Sequence, residues 1–174
     1  LQKGPKVFLL CNPHNPGGTV FNESEIKRIV ELCAKYHVTI VSDEIHADLR
    51  LRAASEHISI GRFEQQPIIS FFATSKAFNT AGLGGAVAVI PNASLRDKFI
   101  KASNGFFSML SRHSIEVMLA TYASGESWLS QLLPYLQANH DLLYDFVQST
   151  PGLAMQPLEA TYLAWIEYDE AILG

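Results

Sequence analysis

The stretch IISFFATSKAFNTAGLGG, residues 68–85, decides how the rest of the chain is interpreted. It opens with an apolar run at 68–73, and Pro67 before the run and the glycine-rich turn after it are typical of the ends of a buried strand. Lys76 therefore lies just past a strand end, which is where ligands bind in open α/β sheets. Apolar surroundings there would favour a neutral amine, as a Schiff base with an aldehyde requires, although most lysines are solvated surface residues.

A βαβ unit is predicted upstream of this stretch. Apolar runs at residues 7–11 and 38–42 have the length and composition of buried strands. Between them, Asn22 and Glu25 are spaced as a capping box at the start of an amphipathic helix over residues 23–36. Because a strand, a helix and a strand in succession imply parallel pairing, we expect these strands and the strand of the opening stretch to share one sheet.

Polar residues follow each of the three strand ends. The first strand runs into NPHNPGGT, residues 12–19, a loop that is rich in proline and glycine and carries Asn15. Asp43 follows the second strand, and Lys76 follows the third. Each residue alone could be an ordinary turn or cap residue. Together they place an amide, a carboxylate and an amine on one edge of one sheet.

The second half of the chain is predicted to be mostly helical, with a break at Gly125. The predicted elements are a fourth strand at 86–90, a helix that Asn92 or Ser94 caps and that ends at 102, helices at 111–124 and 126–150, and strand-like stretches at 162–166 and at 165–168. The fold class is therefore α/β, with a mostly parallel sheet flanked by helices. We expect residues 1–150 to form part of one domain and residues 151–174 to begin a smaller α+β domain. Because Leu1 is not an initiator methionine, we also expect a piece of a longer protein.

Composition limits the classes of function. The 174 residues are 48% hydrophobic and 17% charged, which excludes a disordered chain, and the net charge of −4 without a basic run argues against a nucleic-acid partner. The sequence has neither an apolar run of membrane-spanning length nor a signal peptide, so we expect a cytoplasmic protein without a membrane partner. The histidines at 37, 57, 113 and 140 lack metal-binding spacing and are expected at the surface or at caps, and Trp128 and Trp165 in the core.

An amide, a carboxylate and an amine at one sheet edge suit pyridoxal phosphate. This cofactor forms an imine with a lysine, and a buried carboxylate keeps its ring nitrogen protonated so that the ring acts as an electron sink. Its phenolic oxygen needs hydrogen-bond donors, which an asparagine amide supplies. Lys76, Asp43 and Asn15 are residues of these three types.

Three motifs, in this order, resemble a known family. NPHNPGGTVF at 12–21, SDEIHADL at 42–49 and SKAFNTAGL at 75–83 look like fold-type I pyridoxal-phosphate enzymes of the class I/II aminotransferase superfamily. The histidine after the first proline, the DEIH and the lysine motif are most similar to the cystathionine β-lyase-type C–S lyases. ATYLAWI at 160–166 resembles the small-domain strand of that branch.

The resemblance implies a role for each site residue. Lys76 would be the Schiff-base lysine and the acid/base catalyst. Asp43 would pair with the pyridine nitrogen, and Asn15 would face the phenolic oxygen. Thr74 or Ser75 would contact the phosphate of the cofactor.

Two positions depart from the wider family. His46 stands where many aminotransferases have a tyrosine, as in the lyase-like branch, so it either contacts the cofactor or packs in the interior. Gly84 stands where many members have an arginine that binds the phosphate, so other groups must hold the phosphate.

The branch resemblance implies β-elimination at a sulfur amino acid, cystathionine or a cysteine conjugate, which gives pyruvate, ammonia and a thiol. The alternative is an aminotransferase acting on a 2-oxo acid, since the two activities share nearly the same motifs. A non-catalytic or regulatory relative that keeps the fold is a third possibility. The family further implies a small amino-acid substrate and a homodimer, with the phosphate turn, the stacking aromatic residue and the carboxylate-binding arginine outside residues 1–174.

Overall fold

The structure, a computed structural model, describes residues 4–52, 56–64, 66–107 and 109–173. A four-stranded sheet, in which the strands neighbour one another in chain order, organises the first half of the chain. Its strands are Val7–Cys11 (β1), Thr39–Asp43 (β2), Ile68–Phe72 (β3) and Val87–Val89 (β4).

The first three strands of this sheet are parallel. Cys11 pairs with Asp43 in the β1–β2 register, and Asp43 pairs with Phe71 in the β2–β3 register. The fourth strand runs antiparallel to β3, with Val87 beside Phe72. The carboxyl ends of β1, β2 and β3 therefore meet at one edge of the sheet, and the predicted α/β fold with a mostly parallel sheet is confirmed.

Helix α1, Glu23–Lys35, packs on one face of this sheet. Asn22 Oδ1 accepts from the amides of Ser24 and Glu25, and Glu25 Oε2 accepts from the Asn22 amide at 2.8 Å, so the predicted capping box is confirmed. The buried side chains of α1 meet those of the strands and of a short 3₁₀ turn at Ile60–Arg62. The core they form contains Leu10, Ile26, Val30, Cys33, Val38, Ile40, Ile60 and Ile68.

The second half of the described chain is mostly helical, as predicted. Its elements are α2 (Ala93–Ser103), α3 (Arg112–Ser124), α4 (Glu126–Ser149), β5 (Leu153–Ala154), β6 (Glu167–Tyr168) and α5 (Glu170–Leu173). Gly125 ends α3 and precedes α4, and Pro134 lies inside α4. In the described ranges no helix combines the length and the apolar character needed to cross a membrane. The division into domains after residue 150 stays a prediction.

The predicted strand at 162–166 is wrong. These residues have no regular secondary structure. Of the stretch predicted at 165–168, Glu167 and Tyr168 do form a strand, β6, which pairs with β5. Just before residues 162–166, Thr161 has a φ of 70°, and its hydroxyl accepts from the Leu163 amide at 3.3 Å. A positive φ interrupts an extended strand, and the apolar composition of the segment gives no sign of it.

Two expectations about burial are also wrong. Trp128 and Trp165 are 48% and 59% exposed rather than in the core, and the indole of Trp128 donates to Ala77 O at 3.0 Å. The side chains of His57 and His140 are only 9% and 2% exposed rather than at the surface. His57 pairs with the Glu44 carboxylate, and His140 accepts from the Leu158 amide. Both partners are more than ten residues away in the chain, so local sequence gives no sign of either contact.

Candidate functional site

Asp43 lies at the centre of the carboxyl edge, between a neighbouring strand on each side. The Asn12 amide donates to Asp43 O at 3.0 Å, and the Glu44 amide donates to Phe71 O at 2.9 Å, so the hydrogen-bond ladder continues past the strand ends. The side chain of Asp43 is exposed in this structure, unlike the buried carboxylate expected from the sequence, and it accepts from the Ile45 amide at 3.1 Å. The carboxylate therefore projects from a backbone that is fixed on both sides.

The loop after β1, residues 12–19, is folded back on itself. The His14 amide donates to Thr19 O at 2.9 Å, and the Gly18 amide donates to His14 O at 2.8 Å. Asn15 lies in the exposed turn between these bonds, and within the described part of the chain its side chain has no hydrogen-bond partner. The loop therefore presents an unpaired amide near the carboxyl end of β1.

The turn after β2 buries an imidazole. The Ala47 amide donates to Glu44 O at 3.0 Å and the Leu49 amide donates to His46 O at 2.9 Å, so the chain winds tightly here. His46 is 2% exposed, and neither of its ring nitrogens has a hydrogen-bond partner among the described residues. Buried polar groups are normally paired, so this ring is a candidate for contact with a ligand.

Three charged or titratable groups converge at this edge. Burial lowers the pKa of His46 below its ordinary value of 6.5, the Asp43 carboxylate opposes that change, and the Lys76 charge adds to it. The ring is therefore neutral at neutral pH and can both donate and accept a hydrogen bond. Because both charges act on one imidazole, the structure brings together three of the residues that the sequence singled out.

Lys76 lies in a turn that its neighbours hold in place. The Phe78 amide donates to Thr74 O at 2.9 Å, the Thr80 amide donates to Ser75 O at 3.1 Å, and the hydroxyls of Thr74 and Thr80 are 3.0 Å apart. Lys76 is half-buried, and within the described ranges its ammonium has no hydrogen-bond or ion-pair partner. The turn therefore holds the amine near the sheet edge, and the amine is free to contact a ligand.

Glu44, which directly follows β2, forms a buried pair with His57 that the sequence analysis did not predict. His57 Nε2 is 2.9 Å from Glu44 Oε2, and the Glu44 side chain is fully buried. Successive side chains along a strand point to opposite faces, so Glu44 turns inward where Asp43 turns toward the edge. That alternation is the signal that could have identified Glu44 as an internal residue.

The carboxyl edge of this mostly parallel sheet carries a lysine, a carboxylate and a buried neutral imidazole, and such edges are where α/β proteins generally bind small polar molecules. The family model of aminotransferase class I and II matches residues 1–172, so the chain belongs to this family.

Several named proteins are similar to this chain in sequence or in structure. The chain is 33% identical over 167 residues to cystathionine β-lyase PatB of Bacillus subtilis, which covers 93% of this chain and 43% of PatB. The crystal structure of OvoB superposes with a TM-score of 0.89 at 39% identity, over 92% of this chain and 43% of OvoB. The pyridoxal-phosphate-bound C–S lyase of Staphylococcus hominis superposes with a TM-score of 0.84 at 34% identity, over 92% of this chain and 41% of that lyase. The chain thus spans less than half the length of these proteins.

Proposed function

We propose that this chain carries the pyridoxal-phosphate site of an enzyme that cleaves a carbon–sulfur bond in an amino acid. The proposal depends mainly on the position of Asp43 and His46 at the carboxyl end of β2, beside the end of the neighbouring parallel strand β3 that Lys76 follows. The two unpaired nitrogens of the buried imidazole support it. The names of the relatives support it, because PatB is a cystathionine β-lyase and the S. hominis protein is a C–S lyase with this cofactor bound.

The residues at the edge fit the cofactor. The unpaired amine of Lys76 is available to its aldehyde, and the Asp43 carboxylate would hold the proton on its ring nitrogen. The phenolic oxygen would accept from the Asn15 amide, and the neutral ring of His46 would supply a further contact.

The phosphate of the cofactor would be held next to the lysine turn. The Thr74 hydroxyl is already paired with Thr80 at 3.0 Å, whereas the Ser75 hydroxyl has no partner among the described residues. We therefore assign the direct phosphate contact to Ser75 and a turn-forming role beside the cofactor to Thr74. Gly84 contributes no charge, so hydroxyl and backbone donors take the place of an arginine here.

The reaction depends on one proton transfer by this chain. Pyridoxal phosphate, when bound, delocalises the negative charge that forms at the α-carbon of the substrate. With the cofactor bound, Lys76 Nζ would remove the α-proton of the substrate. In the proposed elimination the bond between the β-carbon and sulfur breaks, and the sulfur leaves with its electron pair. A thioether and one water then give a thiol, pyruvate and ammonia.

An aminotransferase is the alternative, because that name belongs to the family model. Lys76 would remove the same α-proton, but the amino group would pass to a 2-oxo acid instead of being released as ammonia. The two readings share every site residue named above, so product analysis separates them.

The test uses the protein at its full natural length, purified with the cofactor. Borohydride reduction, digestion and mass spectrometry should locate the cofactor on Lys76, and cystathionine should give pyruvate and ammonia in equal amounts. Lys76→Ala should abolish both results. Lys27→Ala, which removes an exposed lysine paired with Glu23 at 2.8 Å, should abolish neither. If the reduced cofactor is not found on Lys76, the proposed site is contradicted. If it is found there but the protein forms a 2-oxo acid without ammonia, the aminotransferase is supported.

The remaining proposals concern the substrate, the assembly and the location. We propose a homodimer in the cytoplasm that acts on a small amino acid, without a nucleic-acid or membrane partner.

A further inference from the structure

A short segment, residues 158–161, joins two loops of the proposed site. Two of its amides donate to Gly18 O, at 2.9 and 3.0 Å, and a third donates to Leu49 O at 2.8 Å. Gly18 belongs to the loop of Asn15, and Leu49 closes the turn that contains His46. One segment therefore ties together the loops that carry the proposed amide and imidazole contacts of the cofactor.

The fit of this segment allows little freedom. The Leu51 amide donates to Glu159 O at 2.9 Å, and the Val20 amide donates to Glu159 Oε2 at 2.9 Å, so the two loops also bond back to the segment. Gly18 has a φ of 70°, and a Cβ there would overlap the side chain of Leu158. A displacement of the segment would therefore move both loops.

His140, on α4, holds this segment from behind. His140 Nε2 accepts from the Leu158 amide at 3.0 Å, and His140 Nδ1 is 2.9 Å from Asp141 Oδ1. Because a backbone amide can only donate, Nε2 carries no proton and Nδ1 donates to the carboxylate, which fixes the tautomer. The ring stacks on Tyr144 with 5.8 Å between centroids, so its orientation is fixed as well.

We infer that His140 is a positioning residue for the proposed site: by accepting from the Leu158 amide, it keeps residues 158–161 against the loops of Asn15 and His46. This inference rests on the proposed function for its catalytic consequence, whereas the contacts themselves exist without cofactor. Loss of the acceptor would leave the Leu158 amide buried and unpaired, and the segment would shift to find a partner. A small shift of a positioned group is enough to slow catalysis greatly.

The test compares two substitutions of one residue in the protein at its full natural length. His140→Gln keeps an acceptor at the place of Nε2, and His140→Leu removes it. We expect His140→Leu to lower kcat about 10- to 100-fold with a smaller change in KM, and His140→Gln to stay within about threefold of the wild type. Gln148→Leu is the matched control, because Gln148 Nε2 donates from the same helix to Met155 O at 3.3 Å without touching either loop. This control should leave kcat unchanged.

Hydrogen exchange of the cofactor-free protein gives a second readout. The amides of 159–161 should exchange faster in His140→Leu than in His140→Gln or Gln148→Leu. If His140→Leu does not fold, Asp141→Leu is the second variant, because it removes the exposed carboxylate that holds the proton on His140 Nδ1. The same amides should then exchange faster than in the wild type. Equal losses in kcat for the two His140 variants, or unchanged exchange at 159–161, would overturn the inference. If the wild-type protein does not bind the cofactor, the proposed function is refuted. The hydrogen-exchange result then still tests whether His140 holds residues 158–161 through the Leu158 amide.

Discussion

At the scale of single residues, His46 has a buried ring whose nitrogens make no hydrogen bond within the described residues, and a bound ligand could supply these bonds. A buried polar group without a hydrogen bond costs about 1–3 kcal/mol. Within the described residues, both ring nitrogens of His46 are in this state. A cofactor that donates a hydrogen bond to the ring or accepts one from it offsets this cost. His46 therefore lowers the stability of the cofactor-free protein and raises its affinity for the cofactor.

Replacing His46 should separate these two effects. We expect His46→Leu to raise the free energy of unfolding of the cofactor-free protein by about 1 kcal/mol, because it removes unpaired polar atoms. The same change should weaken cofactor binding about tenfold, measured by spectroscopic titration, since a hydrogen-bond contact is lost. His113→Leu, at an exposed position of α3, should change neither quantity. A cofactor-free His46→Leu protein less stable than the wild type would show that the imidazole has partners.

The lowered pKa of His46 also predicts how stability depends on pH. Its folded-state pKa lies below its ordinary value of 6.5, chiefly because burial disfavours the imidazolium. On acidification the unfolded chain therefore binds a proton first, and stability falls below about pH 6.5 until the folded ring is protonated too. Urea unfolding at several pH values should show a smaller loss for His46→Leu than for the wild type. Identical pH profiles would rule out His46 as the source.

At the scale of elements, the start of α1 gives a direct test of local stability. Asn22→Ala removes the acceptor for two helix amides, so we expect the free energy of unfolding to fall by about 1 kcal/mol. Asn104→Ala, at the exposed end of α2 and without a side-chain cap bond, should change it by less than about 0.5 kcal/mol. Urea midpoints of both variants measure the difference, and similar midpoints would argue against the cap.

The elements that could be predicted from sequence are those determined by local patterns. The capping box at Asn22, the end of β2 at Asp43 and the end of β3 shortly before Lys76 depend on patterns over a few residues. The segment at 162–166 could not be predicted, because residues 158–161 are held by loops far away in the chain. Non-local geometry likewise decides that His140 is buried while Trp165 is exposed.

The Glu44–His57 pair connects the end of β2 to a segment 13 residues further along the chain. Glu44→Ala would leave the His57 ring buried without its carboxylate, and we expect a loss of about 3 kcal/mol in the free energy of unfolding. Glu44→Gln should lose clearly less, because an amide still reaches the ring. Glu64→Ala, an exposed control, should have almost no effect by denaturant unfolding. Equal losses for both Glu44 variants would show that charge rather than hydrogen bonding matters.

At the scale of the whole molecule, large apolar side chains remain exposed. Leu9, Phe106, Met109 and Leu142 are 75%, 81%, 97% and 75% exposed. Leu119, on α3, is also 62% exposed. Contiguous exposed apolar residues mark surfaces that another chain, or another part of the same protein, covers, and Phe106 contacts the exposed Phe107. The proposed homodimer is one way to cover part of this surface.

The segment that follows α2 is where we expect the dimer contact. The rings of Phe106 and Phe107 meet edge to face, with centroids 5.2 Å apart, and are 81% and 65% exposed. Buried aromatic residues dominate interface energies, so Phe106→Ser should weaken dimerisation about tenfold or more. Leu142→Ser, an exposed apolar residue on α4, should leave the dimer unchanged. Sedimentation equilibrium of the full-length protein measures both dissociation constants. A monomeric wild type contradicts the dimer, and equal effects of the two substitutions contradict this segment as its contact.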